Sequence, residues 1–380
     1  MTLAPHHRVF AAFAIYSFSL GQIFTRLPTV KARMDVGEGA LGLALIGASV
    51  GTMIALTLGA PVTRHFGHKR TLIVSLMMMP VFYAMAIHAP TPLALFLLLI
   101  PAGLTLGTTE VIVNVEADRV EARMGRRIMN RAHAFWSFGF FGAGLFGAAM
   151  AQAGVPPGLH MALVVPLAWA AIALFLGGFT PADKRLSDTA TDTPLIARPT
   201  APIMALVLVC LSAMILEGGS LDWSAILVRD GFGAAPVFGG LAVATVAFSQ
   251  AVTRYGADAL LDRYAQVQIA RAMMGAMALG VFCILLATGP ALALAGFALI
   301  GAGTAALFPM AMSAAAQRSD RPAALNVAAL AQFSFVAFLL GPPLLGWVGE
   351  SLGLRWIWGI TLPLVVLSLA LSHKLAPATD

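Results

Sequence analysis

The sequence has little charge. Asp, Glu, Lys and Arg make up 11% of its 380 residues, whereas a soluble globular domain carries about 25%. Hydrophobic residues account for 59%, which is far too much for a solvated, disordered chain. An ordinary soluble enzyme is therefore excluded, because a chain of this length would lack the polar surface that keeps it dissolved.

Cysteine and enzyme motifs are also scarce. Cys210 and Cys283 cannot form a disulfide framework, and neither has neighbours at metal-ligand spacing. The sequence contains no phosphate-binding loop, no His-Glu-x-x-His motif and no Gly-x-Ser-x-Gly nucleophile elbow. We therefore predict that the protein is not an enzyme, holds no cofactor or metal, and does not use ATP within this chain.

Long apolar runs replace the missing charge. A helix needs about 20 apolar residues to cross a bilayer, and runs that do not alternate predict helices rather than barrel strands. We predict an all-α polytopic membrane protein with twelve transmembrane helices, spans 1 to 12. They lie near residues 8–29, 39–62, 71–89, 92–115, 132–154, 157–178, 203–228, 236–255, 268–287, 290–313, 324–347 and 353–373.

The net charge of +6 follows these spans. If the amino terminus faces the cytoplasm, most of the 23 Lys and Arg residues lie in cytoplasmic connections. Cytoplasmic loops of membrane proteins carry such an excess, so we expect both termini in the cytoplasm. The basic residues thus indicate orientation and not nucleic-acid binding. Those expected outside are Arg26, Lys31, Arg33, Arg229 and Arg355.

The chain divides into two similar parts. A polar connection follows span 6, which predicts an N-terminal half at 1–179, a cytoplasmic linker at 180–202 and a C-terminal half at 203–380. Residues 100–103 in span 4 recur as 300–303 in span 10. The glycines of spans 5 and 11 repeat at the same offset of about 200 residues, which indicates an internal duplication.

Two six-helix halves in parallel repeat are the plan of the major facilitator superfamily, and the sequence resembles that superfamily over its full length. The turn after span 2 keeps the Phe-Gly-basic end of the family's signature loop but has Arg64 where the family has Asp. The turn after span 8 keeps the acidic-basic pair and loses the glycine. In the family this loop latches the halves, so the resemblance implies gating roles for Arg64, Arg70, Asp262 and Arg263.

A closer resemblance is carried by residues 25–28, Glu110 with Asn114, residues 125–129 and 133–137, Glu217-Gly218 with residues 222–224, and residues 341–343. Through them the sequence resembles a bacterial inner-membrane branch near the fucose-permease-like sugar transporters. Relatives at this level include proteins thought to move sugars and vitamins such as riboflavin. The resemblance implies a monomeric transporter in the bacterial inner membrane, with its substrate site between the halves near the midplane.

Three acids lie where lipid disfavours charge, at a cost of about 2.5–3.5 kcal/mol each. We expect Glu110 about 8 Å from the cytoplasmic end of span 4. Glu217 is expected near the middle of span 7, and Asp222 further toward the outside. Such an acid can carry a proton, hydrogen-bond a substrate or join two helices. We predict proton coupling for all three.

Other polar and aromatic residues complete the candidate site. His133, near the start of span 5, is a candidate proton shuttle, with an interfacial hydrogen bond to a carbonyl or to Glu116 as the alternative. Arg254 either neutralises an acid across the cavity or extends to the headgroups. The candidate substrate ligands, for which helix packing or interfacial anchoring is the alternative, are Gln22, Asn114, Trp136, Trp223 and Gln332.

The expected function is uptake of a neutral solute. Few fixed cations project into the bundle, which favours a sugar or a vitamin, with riboflavin a candidate, over an anionic substrate. Proton-driven drug antiporters of the superfamily carry a Gly-Pro pair in span 5, whereas here Gly341-Pro342 lies in span 11. We predict proton symport by alternating access. The alternatives are drug or metabolite efflux, and a sensor or scaffold, which the short loops disfavour.

Overall fold

The computed structural model describes residues 3–126, 128–183 and 197–376. The described residues are helical and contain no strand. They form twelve helical spans, as the apolar runs predict: Pro5–Met34, Glu38–Gly59, His68–Ala86, Pro92–Met124, Met129–Gln152, Pro157–Leu176, Ala201–Gly231, Val237–Leu261, Gln266–Leu286, Pro290–Ala316, Leu325–Leu352 and Trp356–Leu375.

Spans 1–6 and spans 7–12 precede and follow the linker, and are called the N-terminal and C-terminal halves below. The predicted linker lies partly outside the described residues, at 184–196. Because the number of spans is even, both chain ends lie on one side of the bundle. We call it the terminal side and the other the opposite side.

Apolar side chains cover the outside of the bundle as well as its interior. Leu93, Leu174 and Leu286 are 67%, 74% and 71% exposed. Such exposure would be costly in water but is the expected surface toward lipid, where helices associate through close packing and not through the hydrophobic effect. The exposed leucines therefore mark the lipid-facing surface of a membrane protein.

Span 4 is longer than its apolar run. It was predicted to end at residue 115, but the helix continues to Met124 and ends where Gly125 adopts φ 64°. The added residues include Glu116, Arg119 and Glu121, which are charged yet compatible with helix. Glu110 therefore lies fourteen residues, about 21 Å, from the end of its helix. The predicted distance of about 8 Å from Glu110 to the end of span 4 was wrong, because hydropathy marks the apolar run and not the helix.

A break in span 10 creates a polar group inside the bundle. The helix stops at Thr304 and resumes at Leu307. Pro309 lacks the N–H that would bond the carbonyl four residues earlier in a regular helix, and that carbonyl belongs to Ala305. The freed Ala305 oxygen instead accepts a hydrogen bond from Arg254 Nε at 2.9 Å. This proline therefore helps to position the central arginine described below.

The two halves pack closely toward the opposite side. There span 2 packs on span 11, and Ser49 Oγ donates to the Phe338 carbonyl at 2.9 Å. Span 5 packs on span 8, where a Cβ added at Gly144 would lie 2.6 Å from Ala244 N. Toward the terminal side, a Cβ at Gly59 of the span 2 helix would meet nothing within 4 Å. Spans 2 and 11 thus meet tightly only on the opposite side.

A candidate transport site between the two halves

A chain of hydrogen bonds crosses the N-terminal half at the level of Glu110. The Tyr16 hydroxyl of span 1 donates to Glu110 Oε2. Asn114, one helical turn along span 4, donates from Nδ2 to Glu110 Oε1 at 2.9 Å. His133 Nε2 of span 5 lies 3.1 Å from Asn114 Oδ1. The carboxylate is therefore held by neutral groups of two spans and connected to a histidine of a third.

Arg254 of span 8 is the centre of a second network. Its Nη2 forms an ion pair with Glu217 Oε1 of span 7 at 3.2 Å, and its Nη1 donates to Ser137 Oγ of span 5 at 3.0 Å. With Nε bonded to the Ala305 carbonyl, the guanidinium has a partner in three spans. One of these, Ser137, belongs to the other half of the protein. Arg254 therefore joins the two halves.

Trp136 connects the two networks. Its ring lies 5.8 Å from the guanidinium carbon of Arg254, within the range of a cation–π contact. On its other side, its centroid lies 6.5 Å from that of Tyr16. The side chains of Arg254 and Glu217 are 13% and 16% exposed, so neither is completely enclosed. An aromatic face, a cation and two acids are thus brought together between the halves.

We call the residues joined by these contacts the central cluster. Its two acids, Glu110 and Glu217, were among the predicted proton-coupling residues, and Asn114 and Trp136 were among the predicted ligands. Sequence reasoning missed Tyr16, Ser137 and Gln250. Gln250 Oε1 accepts from Ser137 Oγ at 3.2 Å, so it too joins the halves. The cluster consists of Tyr16, Glu110, Asn114, His133, Trp136, Ser137, Glu217, Gln250 and Arg254.

One missed residue had a signal and another had none. Gln250 is an amide in the middle of an apolar span, which is the criterion that selected Gln22 and Gln332. Tyr16 lies among other aromatic residues of span 1, and nothing in its surroundings in the sequence distinguishes it. Only the fold brings its hydroxyl to Glu110, which is 94 residues away.

Gln22 lies in a different polar group. The side chains of Gln22, Arg26 and His160 are all buried between spans 1 and 6. Arg26 Nε donates to His160 Nδ1 at 2.9 Å, and His160 Nε2 lies 2.9 Å from Gln22 Oε1. We call these three residues the buried triad. Gln22 is thus enclosed by its own half and does not belong to the central cluster.

Three further candidates lie outside the central cluster. Trp223 is completely buried, and its ring faces Gly346 of span 11. Gln332 accepts a hydrogen bond from the backbone N–H of Ala197, just before span 7, at 2.9 Å. Asp222 lies five residues beyond Glu217, toward the opposite side, and forms no ion pair with a described residue. The Asp222 carboxylate therefore has no counter-charge among the described residues.

The comparisons with known proteins agree with this architecture. The model of the Major Facilitator Superfamily matches residues 9–316 and 211–379. The chain belongs to the major facilitator superfamily. It is thus a multi-pass membrane protein of a superfamily whose members transport small solutes.

Relatives and solved structures of the superfamily match the chain over nearly its whole length. An uncharacterised transporter, y4wD of Sinorhizobium fredii, is 29% identical over 99% of this chain and 98% of its own length. A variant of the nucleoside transporter NupG superposes with a TM-score of 0.74 at 12% identity, covering 98% of this chain and 100% of that one. The Escherichia coli fucose:proton symporter FucP superposes with a TM-score of 0.67 at 14% identity, covering 98% and 99%.

The turns that the superfamily resemblance marked for gating are exposed in this structure. Arg64, Arg70, Asp262 and Arg263 lie on the terminal side, and none forms an ion pair with another described residue. At the first turn, Arg119 Nη1 lies 3.2 Å from His68 Nδ1, within the N-terminal half. Near the second turn, Asn130 of span 5 donates from Nδ2 to Asp258 Oδ1 of span 8, which joins the halves by a hydrogen bond. Within the described part of the chain, no ion pair joins the halves at the turns themselves.

Charged contacts do join the halves on the opposite side. Lys31 Nζ lies 2.6 Å from Glu38 Oε1 and 2.9 Å from Asp230 Oδ2, which belongs to the C-terminal half. Glu350 of span 11 accepts the Gly39 N–H at 2.8 Å, at the start of span 2. A carboxylate is favoured there because the first N–H groups of a helix lack partners. We call Lys31, Glu38, Asp230 and Glu350 the opposite-side latch.

Within the described ranges, no group of three or more His, Cys, Asp or Glu side chains is arranged to hold a metal ion. The central cluster supplies two acids, one cation and several neutral hydrogen-bonding groups.

Proposed function

We propose that this chain is a proton-coupled importer of a neutral solute that carries hydroxyl groups and a ring. The observation that supports this most directly is the unequal treatment of two acids at one site. Glu217 is paired with Arg254 at 3.2 Å. Glu110 receives hydrogen bonds from the neutral groups of Tyr16 and Asn114. The two carboxyls therefore suit different roles in one transport cycle.

Glu110 is the proposed proton carrier. No Lys or Arg forms an ion pair with it within the described residues, and a charge inside the membrane is costly without compensation. Protonation removes that cost, and loss of the proton restores it. The change biases which side of the membrane the site faces. His133, linked to Glu110 through Asn114, is the proposed proton relay, and Asp222 a second acceptor nearer the opposite side.

Arg254 and Glu217 are proposed to bind the substrate. Because each compensates the charge of the other, the site has no surplus charge for an ionic substrate. It offers donors and acceptors to hydroxyl groups, and Trp136 offers a flat apolar surface to a ring. NupG and FucP are named for a nucleoside and for fucose, both neutral and rich in hydroxyl groups. Sugars, nucleosides and flavin-like vitamins such as riboflavin fit this description.

The proposal also covers the orientation of the protein in the membrane and its transport cycle. Most Lys and Arg residues of the connections lie on the terminal side, which supports the proposal that this side faces the cytoplasm across a bacterial inner membrane. The opposite-side latch is closed, and spans 2 and 11 meet tightly only near it. We infer a conformation closed to the outside. Rocking of two six-helix halves, 1–179 and 203–380, about the central cluster of a monomer would then alternate access.

The test is transport by purified protein in proteoliposomes, with radiolabelled fucose, adenosine and riboflavin as probes. Under an inside-alkaline gradient the wild type is expected to accumulate at least one of them. Glu110→Gln is expected to lose accumulation but to retain counterflow, because the amide keeps the binding geometry without a titrating proton. Asp35→Asn is the control, since it makes the same chemical change at an exposed loop position with φ 53°, which Asn tolerates.

Two outcomes would contradict the proposal. Full accumulation by both Glu110→Gln and Glu217→Gln would exclude proton coupling through the central cluster. Transport driven out of the cell would identify an efflux antiporter instead. In proteoliposomes it would appear as accumulation only in vesicles whose interior corresponds to the outside of the cell.

A further inference from the structure

A groove opens on the terminal side of the bundle, where span 2 turns into span 3. It has a volume of about 550 Å³. Its walls are residues 66–70 of the turn, Ile73 and Val74 of span 3, and Pro181 after span 6. The central cluster lies deeper, one or more helical turns inside the terminal-side ends of spans 4, 5 and 8, and contributes none of these residues. The proposed transport cycle leaves this groove without a role.

One wall of the groove is apolar and open. Phe66 is 54% exposed and Val74 is 51% exposed. Phe66 is the last residue of the helix that contains span 2, and Val74 lies in the second turn of span 3, near the level where the hydrocarbon of a bilayer meets its headgroup layer. Large apolar side chains in this position offer a contact to acyl chains.

The turn itself is basic and has no acid of its own. Residues 61–71 contain Arg64, Lys69 and Arg70 but neither Asp nor Glu. All three cations are exposed, and none forms an ion pair with a described residue. The turn at the equivalent position of the second half has Asp262 beside Arg263. None of the three cations of the first turn is therefore paired with an acid of the described residues, whereas at the second turn an acid is next to the cation in the sequence.

The wall formed by Pro181 is held in place by the residues on both sides of it. The N–H of Ala182 donates to Glu116 Oε1 at 2.6 Å, and Ala182 itself is buried. Phe179, two residues before Pro181, is 3% exposed. The chain beside the groove is thus anchored on both sides of Pro181, so the groove is formed by packed structure.

We propose that this groove binds the headgroup of an anionic phospholipid, with its phosphate against Lys69 and Arg70 and its acyl chains along Phe66 and Val74. Guanidinium binds phosphate through paired hydrogen bonds and ammonium binds it as a point charge. Basic pockets at the ends of transmembrane helices take anionic headgroups by this chemistry. A soluble anion would use the cations but would leave the apolar wall in contact with water.

The test uses the purified full chain in neutral detergent. Phosphatidylglycerol, phosphatidylcholine and inorganic phosphate are titrated separately, with the Tm and the number of lipids retained in native mass spectrometry as readouts. Phosphatidylglycerol is expected to bind saturably and to raise the Tm. Phosphatidylcholine is expected to bind at least tenfold more weakly, and inorganic phosphate at the same concentration is expected to leave the Tm unchanged.

Matched variants assign the effect to the groove. Lys69→Gln and Arg70→Gln are each expected to weaken phosphatidylglycerol binding about fivefold, the usual contribution of one cation near an anionic surface. Arg64→Asp, which supplies the acid that this turn lacks, is expected to weaken it at least as much. Arg263→Gln, on the equivalent turn of the second half, is the control and is expected to change it less than twofold.

Three results would overturn the proposal. Equal binding of the two lipids would reduce the site to apolar contact. The same rise in Tm with inorganic phosphate would make it a site for soluble anions. A loss in Arg263→Gln as large as that in Arg70→Gln would mean that the lipid responds to total charge. Because the substituted side chains are exposed, the lipid-free Tm is expected to stay at the wild-type value, and Arg64→Asp tests the proposal independently of the other two variants.

Discussion

The guanidinium of Arg254 and the carboxylate of Glu217 form an ion pair within the C-terminal half, with 3.2 Å between Nη2 and Oε1. Nη1 of the same guanidinium donates to Ser137 Oγ of the N-terminal half at 3.0 Å. Separation of the halves would break the Ser137 contact and leave the ion pair intact. Arg254 can therefore respond to movement between the halves without losing its counter-charge.

Arg254→Lys is expected to lower the initial rate of transport at least tenfold. The three contacts of Arg254 run to Glu217, Ser137 and Ala305 in fixed directions, which a planar guanidinium satisfies and a single ammonium does not. The measurement is uptake into proteoliposomes at equal protein density. Arg271→Lys is the control, because Arg271 bonds Ser372 outside the central cluster. An unchanged rate in Arg254→Lys would mean that charge alone is needed there.

Lys31→Gln is expected to shift the conformational equilibrium by a factor of about 1.4 to 5 toward the state open on the opposite side. Lys31 joins the halves through Asp230 at 2.9 Å, and partly exposed pairs contribute about 0.2–1 kcal/mol. The readout is the thiol-labelling rate of Ser49→Cys, since Ser49 lies at the contact of spans 2 and 11. The background is a protein in which both native cysteines are replaced by serine.

The matched control for this variant is Arg33→Gln. Arg33 lies on the same helix, but its hydrogen bonds run to the carbonyls of Ile87 and Ala89 within the N-terminal half. Arg33→Gln should leave the labelling rate of Ser49→Cys unchanged. High salt should raise the wild-type rate toward that of Lys31→Gln, because exposed pairs are screened. Equal rates in wild type and Lys31→Gln would remove the latch from the mechanism.

Gly240→Ala is expected to impair closure on the opposite side. A Cβ at Gly240 would collide with the backbone of Gly144 and Ala148 in span 5. Overpacking of this kind costs about 1–3 kcal/mol, and it acts only while spans 5 and 8 are in contact there. Faster labelling of Ser49→Cys and slower transport should follow. Gly256→Ala, in the same span but with nothing within 4 Å of the added Cβ, should match the wild type in both measurements.

The fold was largely predictable from the sequence, because each span satisfies its own backbone and its apolar run marks its position. The length of span 4 was not, since the helix continues through Glu116 and Arg119 after the apolar run has ended. Hydropathy reports the lipid boundary, whereas helix ends depend on residues such as Gly125. The distance from Glu110 to the end of its helix was misjudged for this reason.

The composition of the site was predictable only in part. A carboxyl in an apolar run is conspicuous, which is why Glu110 and Glu217 were selected from the sequence. Their partners are set by tertiary packing. Glu217 meets Arg254, which is 37 residues away, and Glu110 meets Tyr16, which is 94 residues away. Gln22 had the same signal as Asn114 but lies in the buried triad, because sequence does not state which face of span 1 points to span 6.

The buried triad gives the last prediction. Arg26 is 5% exposed and bonds His160 at 2.9 Å, so His160→Leu leaves Arg26 Nε and Gln22 Oε1 without partners. Each unmet buried group costs about 1–3 kcal/mol, and the Tm should fall. Arg26→Met combined with His160→Leu should recover about half of the loss, because it removes the unmet Arg26 group while Gln22 Oε1 stays without its partner. Since Gln22 is enclosed, the KM of folded His160→Leu should stay within twofold of wild type. A tenfold rise would place Gln22 at the substrate, as its sequence position predicts.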